Sequence, residues 1–233
     1  MRWKRFAAGL LLLSPALKTP IVCYVTHRKS LGEGDGGEGV LGKMRAAAAA
    51  GADWVQIREK DLGARELLGL AREAVAGPGE ARVIVNDRLD VALAAGAAGV
   101  HLGRESLRAR DVVRWCRAGN AAVDFLIGVS CHSLEEAREA ENAGASYLIF
   151  GPVFDTPSKR GMGAPQGVGH LAEICGSVAL PVVAIGGVDE QNAGQCMRAG
   201  AAGVAAIRMF QQARDGAAMK AVVERLHGLG ASR

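Results

Sequence analysis

From Pro20 onward the chain alternates short runs rich in β-branched residues with longer stretches rich in Ala, Leu, Glu and Arg, and it does so eight times without interruption. Ile21 to His27, Trp54 to Lys60, Arg82 to Asn86 and Gly99 to Gly103 are followed by Val40 to Gly51, Arg65 to Ala76, Leu89 to Gly96 and Ala109 to Ala118. Phe125 to Cys131, Ser146 to Phe154, Pro181 to Gly186 and Gly203 to Phe210 are followed by Leu134 to Gly144, Val168 to Val178, Glu190 to Gly200 and Ala217 to Leu229. Strict alternation of strand and helix implies parallel pairing through right-handed crossovers, because a parallel neighbour is reached only by crossing the face of the sheet. An open doubly wound sheet usually stops at about five or six strands, so the expected fold is α/β, a single (β/α)8 TIM barrel.

The glycines support that reading. There are 32 of them in 233 residues, roughly double the usual share of about 7%. Four predicted helices run into the same punctuation, Gly51-Ala52-Asp53, Gly96-Ala97-Ala98, Gly144-Ala145-Ser146 and Gly200-Ala201-Ala202. A glycine just past a helix end supplies the left-handed residue of a C-cap, so most of the glycine is structural.

Residues 1–19 read as a short N-terminal extension, a helix or an extended start, ahead of a barrel over 20–233. Met1 to Arg5 is basic and Phe6 to Leu17 apolar, the outline of a signal peptide, but no small-x-small cleavage site follows before Pro20 opens the first strand. No run of about 18 apolar residues predicts a membrane span. The net charge of +4 includes no polybasic run and the ten aromatics form no ladder, so neither nucleic acid nor a membrane surface is an expected partner. The five cysteines are odd in number, widely spaced and free of any CxxC, which fits a cytoplasmic protein without disulfides or zinc. Assembly into a homo-oligomer is left open.

In a barrel of this kind the carboxyl ends of the strands carry the chemistry. By the two-residue strand period Gln56, Arg58 and Lys60 share one face and Val55 and Ile57 the other. That sends two cations up the lumen, where desolvation demands anionic company: a bound anion, or a structural ion pair with Glu59 or a neighbouring carboxylate. Asn86 and Asp87 end the third run. They suit a helix N-cap ahead of Leu89, or, for Asp87, a hard oxygen ligand to Mg²⁺. Ser130 and His132 close the fifth run, Ser130 as a hydrogen-bonding group for a heterocycle and His132 as a proton shuttle or an ordinary polar terminus. After the sixth run, Thr156 to Gly163 is a loop of hydroxyls, cations and glycines, including Ser158 and Lys159, with the chemistry of an anion clamp. Gly186 and Gly187 end the seventh run and Ile207 and Arg208 the eighth, where barrels commonly hold a phosphate. Two facing anion sites imply two phosphorylated substrates or one bis-phosphate.

Val55-Gln56-Ile57-Arg58-Glu59-Lys60, Val85-Asn86-Asp87-Arg88, Gly99-Val100-His101-Leu102-Gly103, Gly128-Val129-Ser130, Gly151-Pro152-Val153-Phe154 with Thr156 to Lys159, and Ala184-Ile185-Gly186-Gly187 together resemble the thiamine phosphate synthase family and its thiazole tautomerase relatives, from Ile21 to about Gly216. The resemblance implies coupling of 4-amino-2-methyl-5-hydroxymethylpyrimidine diphosphate to a thiazole phosphate with loss of diphosphate. It implies that Gln56, Arg58, Lys60, Asn86, Ser130 and Lys159 hold the pyrimidine diphosphate, that Asp87 binds Mg²⁺, and that Thr156, Ser158, Gly187, Ile207 and Arg208 surround the thiazole phosphate. The chain departs from the family in three places: Ser106, beside Glu105, stands where a second metal carboxylate is usual, His27 where Asp is frequent, and Arg208 where Ser is frequent. The alternatives are a thiazole tautomerase, with His132 moving the proton, and a phosphate-binding regulatory barrel without catalysis.

Overall fold

A computed structural model of the chain describes residues 20–31, 39–156 and 164–230; the expected extension over 1–19 lies outside these. Eight strands, β1 (Ile21–Val25), β2 (Trp54–Ile57), β3 (Arg82–Asn86), β4 (Gly99–Leu102), β5 (Leu126–Cys131), β6 (Tyr147–Phe150), β7 (Val182–Ile185) and β8 (Gly203–Ala206), close in sequence order into a barrel. Every neighbouring pair is parallel, including the β8–β1 seam, where Ile21 faces Gly203 and Cys23 faces Ala205. Outside them pack α1 (Gly39–Ala49), α2 (Ala64–Val75), α3 (Leu89–Ala95), α4 (Ala109–Trp115), α5 (Leu134–Ala143), α6 (Gly167–Ser177), α7 (Ala193–Arg198), α8 (Arg208–Gln211) and α9 (Gly216–Gly228).

The strand period divides the apolar residues between two cores. Val22, Tyr24, Val55, Ile57, Val83 and Val85 point outward to the helices. Ile21, Cys23, Val25, Trp54, Ile84, Leu126 and Tyr147 fill the lumen, where the Trp54 and Tyr147 rings stand 4.5 Å apart. The expected helix-end glycines adopt positive φ, with Gly51 at 93°, Gly96 at 69°, Gly144 at 87° and Gly200 at 96°. Among the described residues no helix is long and apolar enough to cross a membrane.

Several predicted strands are shorter in the structure, each stopped by an identifiable contact or backbone group. β2 ends at Ile57 because the Arg58 amide donates to Thr26 Oγ1 (2.9 Å), so Arg58 and Lys60 extend from a loop at the mouth instead of the lumen wall. β6 ends at Phe150, ahead of Gly151 and the N–H-less Pro152, joined by a cis peptide bond. β8 ends at Ala206, and the Ile207-to-Phe210 stretch read as strand turns into the one-turn helix α8. That turn buries Phe210 against Tyr24, ring centroids 5.3 Å apart. The seventh helix begins at Ala193 because Asp189 Oδ1 accepts from the amides of Gln191 and Asn192, holding residues 189–192 in a turn.

Candidate active site

The lower lumen is apolar and its upper layer is polar. Gln56 on β2, Asn86 on β3, His101 on β4 and Ser130 on β5 end the inward-facing rows of four consecutive strands. Side-chain hydrogen bonds join two of them, Asn86 and Gln56, in one chain from Asp87, and His101 and Ser130 form a separate pair. Asp87 is the one described residue other than glycine with positive φ (62°), a conformation that Asp adopts more readily than most residues but still at some cost. Its amide donates to the His101 carbonyl (2.8 Å). Oδ1 accepts from the Gly103 amide (3.2 Å) and from the Ser106 hydroxyl, and Oδ2 accepts from Asn86 Nδ2 (2.6 Å). A carboxylate only accepts, so it fixes which way the Asn86 amide faces. Asn86 Oδ1 in turn accepts from Gln56 Nε2 (2.9 Å). Gln56 Oε1 is thereby presented as a buried acceptor with no hydrogen-bond partner among the described residues.

This arrangement resolves two alternatives left by the sequence. Asn86 and Asp87 do not cap α3: the N-cap position is Arg88, which makes no side-chain cap. Glu59 does not pair with Arg58 or Lys60: it is 4% exposed, and both its carboxylate oxygens accept from the Arg28 amide (3.0 and 3.1 Å). Lys60 Nζ instead lies 3.9 Å from Asp87 Oδ2 with 56% of its side chain exposed, a pair that solvent screens to little worth. Of the two residues considered beside Asp87, Ser106 touches it, and Glu105 is exposed.

His101 is buried, and its Nε2 is 2.8 Å from Ser130 Oγ. Burial above all pushes its pKa from 6.5 down to about 4; the Asp87 charge opposes this and the Arg58 charge adds to it. The imidazole is therefore neutral at pH 7. His132 is half-buried, its Nδ1 2.6 Å from the Gly151 carbonyl. A carbonyl requires a donor, so the Nδ1–H tautomer is held and Nε2 is left as the basic atom. Glu136 Oε2 accepts from the His132 amide (2.6 Å), and Ser133 caps α5 through the Glu136 amide (3.1 Å).

Across the mouth, Gly186 (φ 94°) and Gly187 (φ 64°) follow β7. A Cβ on Gly186 would lie 2.5 Å from Pro152 Cα, and one on Gly187 would collide with the Asp155 carbonyl oxygen, so both positions demand glycine. The Gly187 carbonyl accepts from Asn192 Nδ2 (2.8 Å). Thr156 is buried, Ile207 leads into α8, and Arg208 is exposed in its first turn. A short helix after β8 beside the β7 loop is a frequent phosphate site in barrels. Ser158 and Lys159 lie outside the described residues.

The structure thus brings Gln56, Asn86, Asp87 and Ser106 into one connected cluster, with Lys60 at its edge, and Ser130 into contact with His101. His101 and Tyr147 carry no role in the sequence reading. The available signal was parity: His101 is a polar residue two positions after Gly99, on the inward row of a strand otherwise apolar. Among the described residues no cluster of three or more His, Cys, Asp or Glu side chains forms a metal cage. The hard oxygens of Asp87 and Ser106 nevertheless suit Mg²⁺, which commonly takes only one or two carboxylates and completes its shell with phosphate and water.

The profile of the thiamine monophosphate synthase family matches residues 22–210. The chain is 42% identical over 211 residues to a thiamine-phosphate synthase of Moorella thermoacetica, covering 88% of this chain and 97% of that one. It is 39% identical over 214 residues to a thiamine-phosphate synthase of Roseiflexus sp., covering 91% and 86%. Among solved structures, a thiamine phosphate pyrophosphorylase from Pyrococcus furiosus superposes with a TM-score of 0.75 at 33% identity, covering 90% of this chain and 96% of that one.

Proposed function

The chain belongs to the thiamine monophosphate synthase family, and from that premise we propose that it is a transferase that couples 4-amino-2-methyl-5-hydroxymethylpyrimidine diphosphate to a thiazole phosphate, yielding thiamine phosphate and diphosphate. The observation that carries the site assignment is the Gln56–Asn86–Asp87 chain, which presents one oriented buried acceptor to a heterocycle within reach of cations.

The protein must stabilise charge gathering on a leaving diphosphate and hold the nucleophile close. Arg58, Lys60 and Lys159 supply the positive charge as the C–O bond ionises to a pyrimidine-stabilised cation, which the thiazole nitrogen then captures. Gln56 and Ser130 orient the pyrimidine. Thr156, Ser158, Gly186, Gly187, Ile207 and Arg208 hold the thiazole phosphate, the glycines through their backbone amides. Asp87 and Ser106 are the residues that would hold Mg²⁺, which when bound neutralises diphosphate charge. The free cysteines, four of the five buried, support a reducing cytoplasmic setting.

The purified protein, given Mg²⁺ and both phosphorylated substrates, should release thiamine phosphate and diphosphate in equal amounts. Binding of both substrates without product would refute the synthase in favour of a regulatory barrel. Isomerisation of a thiazole carboxylate phosphate, lost in His132→Ala, would point to the tautomerase.

A further inference from the structure

His101 on β4 and Tyr147 on β6 flank Gly128 on β5, and all three are in register across the strands. Gly128 makes room for both rings. A Cβ there would stand 2.6 Å from His101 Nδ1 and closer still to the Tyr147 hydroxyl. Both of these polar atoms therefore crowd one point beneath the mouth, and the two ring centroids are 5.7 Å apart. Each is buried with no hydrogen-bond partner among the described residues, while the other imidazole nitrogen meets Ser130 Oγ at 2.8 Å.

A phenol enclosed in an apolar lumen must place its proton on an acceptor. The other buried side-chain atoms without partners are Arg82 Nη1, a donor, and Gln56 Oε1; of the two acceptors, only the imidazole is seated with Tyr147 around Gly128. We propose that Tyr147 donates to His101 Nδ1 through one buried water and so sets the tautomer that makes Ser130 a hydrogen-bond donor to the substrate. With Nδ1 accepting, the imidazole proton resides on Nε2 and is donated to Ser130 Oγ, and the Ser130 hydroxyl proton is turned into the mouth. His101 and Tyr147 are positioning residues, and Ser130 is the group that touches the ligand.

The inference rests on the mouth being the site of the aminopyrimidine diphosphate proposed above, and it says which protein group reads each edge of that ring. Ser130 on β5 offers a donor and Gln56 on β2, three strands away around the barrel, offers an acceptor. A planar ring between them is matched when it carries an exocyclic amine toward Gln56 and a bare ring nitrogen toward Ser130. A 4-aminopyrimidine has this pattern, since N1 lies opposite the amine-bearing carbon. A ring with C–H in place of that nitrogen leaves the serine proton unpaired.

Long-range ¹H–¹⁵N correlation spectra of the ligand-free, ¹⁵N-labelled full chain, with His101 assigned by loss of its signals in His101→Gln, should show a protonated Nε2 and a bare Nδ1. The opposite tautomer overturns the proposal whatever the enzyme's activity. Tyr147→Phe keeps the ring and removes the hydroxyl. It should raise KM for the pyrimidine diphosphate about tenfold, the worth of one hydrogen bond, with kcat changed less than about twofold. The preference for the pyrimidine over its C–H analogue should narrow by a similar factor. An unchanged KM and preference in a folded Tyr147→Phe protein also overturns it. If the wild-type protein shows the expected tautomer and discriminates between the two rings as ligands yet makes no product, the synthase reading fails and the tautomer assignment stands.

Discussion

Asp87 is where backbone and side-chain chemistry meet most tightly. Its left-handed φ of 62° costs something in isolation, and three donors, from Asn86, Gly103 and Ser106, hold it there. Ser106 donates its hydroxyl to Asp87 Oδ1 and so acts on Asp87 directly. Ser106→Ala should therefore raise the Mg²⁺ concentration needed for half-maximal turnover, while Glu105→Gln leaves it unchanged; titration of the rate with Mg²⁺ decides between the neighbours. His101 makes a pH prediction. Its pKa is about 4 in the folded protein against an ordinary 6.5, so as pH falls below about 6.5 the unfolded chain takes up the proton first. The stability linked to its neutral form is complete above pH 6.5 and is lost between 6.5 and about 4, on the order of 3 kcal/mol in full. Urea unfolding at pH 7 and pH 5 should show this decline in the wild-type protein and a flatter profile in His101→Gln.

At the scale of elements, the strands supply fixed parity and the loops supply the chemistry. β5 shows how one glycine serves both. Gly128 gives up its own lumen volume so that Tyr147 and His101 can occupy it. Gly128→Ala should destabilise the protein by about 1–3 kcal/mol or more, as overpacking of a filled core does, and should weaken pyrimidine binding together with stability; thermal unfolding and ligand titration measure the two. Patterning alone located every strand of the barrel and both faces of β2. It extended β2, β6 and β8 too far, because a run of β-prone residues carries no mark of where a strand stops. Thr26 capturing the Arg58 amide, Pro152 lacking an N–H, and Phe210 seeking Tyr24 are what end them. All three depend on neighbours distant in sequence or on a single backbone group.

Across the whole molecule the two ends of the barrel have separate duties. At the bottom, Asp53 Oδ2 accepts from the Val22 amide and from His227 Nε2, both at 2.8 Å, joining β1, the turn before β2 and the last helix α9. Asp53→Ala should cost about 2–3 kcal/mol of stability, as lost hydrogen bonds to a charged group do. It should leave KM and kcat near their wild-type values at a temperature where the variant is folded, since the bottom face stabilises and the top face reacts. A large fall in kcat would mean the ends are coupled.

The alternation of strand and helix, the inward parity of Gln56 and Ser130, the glycines at helix ends and the polar character of the strand termini were all determined by the sequence itself, because each is a local or periodic property that survives reading one residue after another. The tertiary structure alone decided that Ser106 rather than Glu105 meets Asp87, that Asp87 orients Asn86 and through it Gln56, and that His101 stands between Tyr147 and Ser130. Closure of the barrel sets which rows lie side by side and at what height, and no spacing along a single chain encodes the few ångströms between atoms on different strands.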